Sequence, residues 1–330
     1  MSRAVLPRRT LIAAIPATLA APALLAQPAP LRDEAAALGQ LHALVVSRSG
    51  REILATAPRG PGLDRPANVK SVSKTLLALM TGIAIERGVL EGPDQRVLPL
   101  LDRAPTGDAR DSLTVGHLLS MRTGLESTSG PGYGAWIASR DWVDYVMTRD
   151  LVGRPGGRFI YSTGPWHVLG AALSRAAGAD LHDLASDWLA APLGIEIPPW
   201  VRDPQGRRLG GNEMALSPRA LVRIGETVLA DGAWGGTQVV PASWIATSWE
   251  PRARSPWSGD AYGYGWFLTR FGGHDAAYAR GYGGQVLAVV PGLDLAVAIT
   301  SDPTLPARSG GHFTDLRRLV ERAVDEAARA

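Results

Sequence analysis

Ser71 and Lys74 stand three residues apart in "NVKSVSKTLLALM", and Lys70 and Lys74 are the only lysines in a chain of 330 residues whose other basic side chains are all arginine. Arginine keeps its proton up to a pH above ~12, whereas a lysine in a dry pocket can be tuned toward ~7–8. A lysine kept where arginine is otherwise the rule therefore points to proton transfer. If Ser71 and Lys74 lie in the first turn of a helix, they share one face, and the serine becomes an activated nucleophile with the helix N-terminus favouring a developing oxyanion. The tetrapeptide alone also suits a plain helix entrance, with Ser71 as N-cap and Lys74 in solvent. Lys70 has no partner at useful spacing and reads as a surface charge near the site.

Other chemistries find less support. No serine has the G-x-S-x-G frame of a nucleophile elbow, no H-E-x-x-H spacing suggests zinc, and lysines at 70 and 74 alone exclude a P-loop. There is no cysteine, so disulfides, thiolate metal sites and cysteine nucleophiles are excluded. Among six scattered histidines, His117 reads as a packed or capping residue, and His167 follows Tyr161 closely enough to line the same pocket. No cofactor or metal is called for.

The elements that must position Ser71 and Lys74 are legible in outline. "LHALVVS" (41–47) and "EILATA" (52–57) flank "RSGR" as a hairpin, and Ser71 to Gly88 places Leu76, Leu77, Met80, Ile83 and Ala84 at helical spacing. Helical patterns follow at 114–121, 141–147, 164–177 and 181–191. Ser217-Pro218 reads as N-cap and first residue of a helix to Ala230. "GYGWFLTRF", "AYAR", "QVLAVV" and "LDLAVAIT" then read as strands, with "PGLD" turning between the last two, and a helix over 313–328 closes the chain. Early strands, a helical middle and late strands predict an α/β (α+β) fold. One antiparallel sheet is built from residues 35–70 and 210–330 and flanked by helices, and an all-helical subdomain over 71–209 is inserted in it, the whole forming one domain over 35–330.

Five blocks in order carry a resemblance: "SVSK" opening an apolar helix, "LTVGHLLSMRTGL" (113–125), "PGGRFIYSTGPWHVLG" (155–170), "GGNEMALSPRALVRIG" (210–225) and "ARGYGGQVLAVVPGLDLAVAIT" (279–300). The chain resembles the serine β-lactamase and penicillin-recognising family, particularly its class C β-lactamase and related esterase branch, from about Leu41 to the C-terminal helix. The resemblance implies a β-lactamase/transpeptidase-like fold, Ser71 as the acylated nucleophile, Lys74 as its proton acceptor and Tyr161 of "YST" as the catalytic tyrosine. A nearby ammonium would favour the phenolate of that tyrosine, which would relay the proton to the leaving group. It also implies an oxyanion hole made by the backbone N–H groups of Ser71 and of Tyr282, just after Gly281.

Two departures bear on substrate. Thr163 stands where the family's Tyr-x-Asn triplet has asparagine, and Ala279 stands where a cationic or imidazole side chain helps to hold a substrate carboxylate. Arg280 is a partial substitute, although on a strand its side chain points to the opposite face from residue 279. Thr163, Arg280 and Gly281 are thus the candidate substrate-binding residues. The expected function is hydrolysis of small carboxylic esters or related amides through an acyl-enzyme. The alternatives are a β-lactamase or D-amino-acid peptidase, and an exported binding protein that has lost turnover.

The start of the chain, "MSRAVLPRRTLIAAIPATLAAPALLAQPAP", joins a basic head to a moderately apolar run and small residues, the layout of an export signal over 1–26, with Arg8-Arg9 suggesting the twin-arginine route to the periplasm or beyond. The run over 11–26 is shorter than the ~20 residues of a spanning helix and holds Pro16 and Pro22, so no stable membrane span is expected after cleavage. The net charge of +3 comes from 34 basic and 31 acidic residues, and Arg3, Arg8 and Arg9 account for the excess. The remainder is balanced, which disfavours a nucleic-acid partner.

Overall fold

The computed structural model describes residues 29–307 and 310–329, so the expected export signal lies outside the described residues. An eight-stranded sheet runs in the order 51–56, 41–48, 295–301, 285–290, 274–281, 267–271, 261–262, 253–254, and every neighbouring pair is antiparallel. The chain's first hairpin joins its last strands through pairs such as Val45↔Ala298, so both ends of the sequence build one sheet.

Gln285–Val290 and Leu295–Ser301 are buried at every position. Continuous apolar runs of this kind belong to strands covered on both faces. Helix Pro218–Leu229 lies against them, with Gly225 the point of closest approach: a Cβ there would stand 2.9 Å from the Ala296 methyl. The terminal helices Ala29–Ala37 and His312–Arg329 pack on each other and on the sheet.

Between residues 69 and 214 the described residues contribute no strand to a sheet. Helix Ser73–Glu86 runs through the centre, buried at each position from Ser73 to Ala84. A helix apolar on every side must be enclosed on every side. Its neighbours are helix Gly164–Ala177, helix Ala242–Ser248 and the 265 turn, where Thr75 Oγ1 donates to Gly265 O at 2.6 Å. Trp244 Nε1 donates to Ala78 O at 2.8 Å, and Gly82 makes room for that indole, since a Cβ would lie 2.1 Å from its ring.

Several expected elements begin and end where the sequence suggests. The helix over 164–177 and the strand over 285–290 coincide with their patterns. Ser217 caps its helix, its hydroxyl accepting from Ala220 N at 3.1 Å. His117 is a capping residue, completing a reciprocal pair with Thr114. The pattern over 181–191 resolves into a short α-helix, a π-turn over 186–190 and a last turn to Leu193. The helix expected from Ser71 starts as a tight 3₁₀ turn, Lys70–Val72, and becomes α-helical at Ser73.

Candidate active site

Ser71 is held by a local structure that fixes its entry to the helix. Asn68 pairs with Ala215 in a two-residue ladder, and Val69 N donates to Met214 O at 2.9 Å. The chain then turns sharply, with Lys70 at φ +49° and its N–H on Asn68 Oδ1 at 2.8 Å. A left-handed backbone costs a non-glycine residue about 1–2 kcal/mol. The turn is pinned by Glu213, itself at φ +66°, which takes Lys70 Nζ at 2.9 Å and Asn68 Nδ2 at 2.6 Å. Lys70 therefore has a partner, 143 residues away, and is not the free surface charge its sequence neighbourhood suggests. Ser73 Oγ donates to Lys70 O and accepts from Met214 N, closing the turn onto the facing strand.

Lys74 is 2% exposed, and its Nζ has three oxygen neighbours: Ser71 Oγ at 2.9 Å, Thr163 Oγ1 at 3.2 Å and Gly211 O at 2.8 Å. Burial lowers its pKa from 10.5 to about 7. A neutral amine has two N–H groups and one lone pair. The Gly211 carbonyl can only accept, and Thr163 Oγ1 can accept the second N–H because its own proton can go to Ser129 Oγ, 3.1 Å away. The lone pair is left facing the Ser71 hydroxyl, which is what a proton acceptor for this serine requires.

Tyr161 completes the centre. Its hydroxyl lies close to Ser71, and Lys74 Nζ is 5.3 Å from its ring centroid. Burial of the phenol raises its pKa, with the Ser71 side chain and the Arg280 charge opposing more weakly. The expectation of a favoured phenolate is thereby corrected: burial works against charge on the phenol as it does on the Lys74 amine, and the tyrosine keeps its proton, ready to donate it.

The strand His274–Gly281 ends against the nucleophile turn. A Cβ on Gly281 would stand 2.4 Å from Val69 O and 3.0 Å from Lys70 Cβ, so only glycine lets the peptide 281–282 come this close. Among the described residues, neither the Ser71 nor the Tyr282 backbone N–H has a carbonyl acceptor. Gly283 and Gly284, at φ +82° and +99°, form the turn that follows.

The candidate substrate-binding residues divide. Thr163 is 4% exposed and bonded to Lys74 and Ser129, so it serves the proton network and does not wall the cleft. Arg280 lies opposite Ala279 as expected, its guanidinium 4.5 Å from the Phe267 ring centroid and 5.0 Å from that of Phe313. Among the described residues it has no carboxylate partner, and its charge reaches Tyr161. Two exposed aromatics stand nearby: Tyr282 at 55% and Trp257 at 52%, the latter edge-on to Tyr161 at 6.4 Å. His167 is fully buried and lines no cleft. A separate cleft of about 440 Å³, bordered by Arg103, Asp141, Arg175 and Arg207, contains none of these groups.

Sequence reasoning missed the Gly211 carbonyl and the Ser129 hydroxyl. A backbone oxygen leaves no mark in residue type, and the signal that was available, paired glycines at 210–211, has many other causes. A Cβ on Gly211 would stand 2.6 Å from Trp166 Cβ and 3.0 Å from Lys74 Cγ, which is why glycine is there.

The Beta-lactamase family model matches residues 40–321. D-alanyl-D-alanine-carboxypeptidase/endopeptidase AmpH of Escherichia coli (strain K12) is 26% identical over 167 residues, 48% of this chain and 43% of that protein, so the match spans less than half the length of this relative. EstCE1, a hydrolase with promiscuous acyltransferase activity, superposes with a TM-score of 0.72 at 20% identity, covering 88% of this chain and 97% of its own. A penicillin-binding protein homologue from Caulobacter crescentus gives 0.70 at 16% identity, covering 86% and 92%. With an antiparallel sheet flanked by helices, the fold of these structures, and a family match over most of its length, the chain belongs to the beta-lactamase family of serine hydrolases.

Proposed function

We propose that the protein is an exported serine hydrolase that acts through an acyl-enzyme on Ser71, with small carboxylic esters or related amides as substrates. The observation that carries this reading is the buried Lys74 amine, its lone pair free for the Ser71 hydroxyl and its pKa near neutrality. In the forward half-reaction the Ser71 proton passes to Lys74 Nζ as Oγ bonds to the substrate carbonyl carbon. The N–H groups of Ser71 and Tyr282 take the oxyanion. On collapse the carbonyl–oxygen bond to the leaving alkoxide breaks, the alkoxide takes a proton from Tyr161, and the Lys74 ammonium makes up the deficit. Water then repeats the sequence in reverse and frees the acid.

The ester reading draws on what the cleft offers. An ester needs an activated nucleophile and an oxyanion hole, and the exposed rings of Tyr282 and Trp257 suit an apolar or aryl group. AmpH acts as a D-alanyl-D-alanine carboxypeptidase/endopeptidase, and such a substrate needs its carboxylate held; Ala279 offers nothing for that. A fluorophosphonate should give one adduct by intact mass, mapping to Ser71. Labelling of a Ser71→Ala variant at another serine would overturn the reading, and a chain with no adduct at all would be a binding protein. Export is tested separately: replacing Arg8 and Arg9 by lysine should block a twin-arginine leader and spare a general secretory one.

A further inference from the structure

His167 is fully buried on helix Gly164–Ala177, with both ring nitrogens engaged. Gly210 N–H donates to Nδ1 at 3.2 Å, so the ring proton is on Nε2, which faces Asp203 Oδ2 at 3.1 Å. Asp203 is the hub of the turn over 203–207: its Oδ1 accepts from Gln205 N and Arg207 N at 3.0 and 2.8 Å, and its Oδ2 also takes Arg207 Nε at 2.6 Å. Arg207 and Asp141 are the other charges that reach the imidazole, and Trp136 and Trp142 enclose it at 6.0 and 5.5 Å. Burial, the largest influence on it, keeps the ring neutral, and a second ring proton would also expel the Gly210 N–H.

The chain leaves this anchor directly for the reacting centre. Gly210 is wedged under helix 164–177, where a Cβ would stand 2.3 Å from Trp166 O. The next residue turns at φ +71° and delivers the carbonyl that accepts from Lys74 Nζ at 2.8 Å. We propose that His167 is a positioning residue: held by Asp203 on one side and holding the Gly210 N–H on the other, it fixes the Gly211 carbonyl that aims the Lys74 lone pair at Ser71. This rests on Lys74 being the proton acceptor.

The two halves of the imidazole can be tested apart. In His167→Asn the side-chain oxygen sits near the place of Nδ1 and can accept the Gly210 N–H. In His167→Gln the amide reaches only toward Asp203. Against His167→Leu, the asparagine variant should restore most of the turnover lost, while glutamine should stay about 10- to 100-fold below wild type in kcat per Ser71 titrated by fluorophosphonate, with KM little changed. All three should lower the melting temperature, so stability alone cannot produce that order. A second readout does not need turnover. Because the chain has two lysines, selectively labelled protein gives two side-chain NMR titrations. The Lys74 midpoint should hold in the asparagine variant and move by about half a unit or more in the glutamine and leucine variants. Equal effects of asparagine and glutamine on both readouts, or full turnover per titrated site in His167→Leu, would overturn the proposal. Absence of Ser71 labelling in the wild type would instead strike the hydrolase reading, and the NMR arm would still decide this one.

Discussion

At the scale of single residues the proposed activity turns on one proton and where it rests. Lys74 titrates near 7 because burial opposes its charge, and an ester assay should therefore show kcat/KM rising as pH climbs through about 7, the range in which the amine becomes able to accept. Lys74→Arg keeps the charge and cannot release the proton, so it should lose about 10²–10⁴-fold, much as Lys74→Ala does. An arginine variant with wild-type turnover at neutral pH would show the lysine to be only an electrostatic partner. The same lowered pKa bears on stability. Between about 7 and the unfolded value of 10.5 the unfolded chain binds more protons than the folded one, so the contribution of Lys74 to stability is fully present above 10.5 and is lost as pH falls toward 7. Lys74→Met should consequently be more stable than wild type in urea at pH 6, with the gap closing as pH rises to 10. A gap that does not change with pH would mean that the amine keeps an ordinary pKa in the folded chain.

At the scale of elements, the site is made where three segments from distant parts of the sequence meet: the turn before helix Ser73–Glu86, the 210–214 stretch and the end of strand His274–Gly281. Closeness at that meeting is set by glycine. Gly281→Ala would place a methyl 2.4 Å from the Val69 carbonyl, a backbone atom that cannot swing aside, and so should push the Tyr282 N–H away from Ser71. Loss of one oxyanion donor costs about 10²–10³-fold in kcat. Gly39→Ala, with nothing within 4 Å of its Cβ, is the matched control and should leave kcat unchanged. An unaltered kcat in Gly281→Ala would remove the Tyr282 amide from the oxyanion hole. The long elements were legible because burial marks their sequence: helix 164–177 is mostly apolar and keeps Ser174 and Arg175 for its exposed last turn, and 286–290 and 295–299 are continuous apolar runs. What was not legible depends on contacts with no local period. The Lys70–Glu213 pair joins two left-handed residues across 143 positions, and the Gly211 carbonyl is a backbone group. The Tyr-x-Thr triplet points Thr163 toward the substrate, whereas in the fold the residue is buried and its hydroxyl meets Lys74 and Ser129.

For the whole molecule, the question is which acyl compounds a nucleophile set between sheet and helices will accept. As proposed, the Ser71–Lys74–Tyr161 centre would transfer acyl groups from any carbonyl that reaches it, so selectivity must come from groups around the cleft. On the strand side Ala279 is 2% exposed and apolar, and Arg280 is held between Phe267 and Phe313, which costs it freedom to follow a substrate. On the helical side the Thr163 hydroxyl is already committed to Lys74 and Ser129. A β-lactam or D-amino-acid peptide needs its carboxylate and side-chain amide held, and each missing hydrogen bond to a charged group is worth about 1.5–3 kcal/mol, or roughly one to two decades in rate. A short-chain aryl ester needs neither contact, has a good leaving group, and can lay its ring against Tyr282 or Trp257. Its kcat/KM should therefore exceed that of a chromogenic cephalosporin on the same preparation by about two decades or more, with simple amides between or below. Arg280→Ala should then cost the cephalosporin no more than it costs the ester, since neither substrate is held by the guanidinium and any common loss reports the charge that Arg280 presents to Tyr161. A cephalosporin value equal to or above that of the ester, lost in Arg280→Ala, would show that the stacked guanidinium does hold a substrate carboxylate, and the preference for esters would be replaced by one for carboxylate-bearing amides.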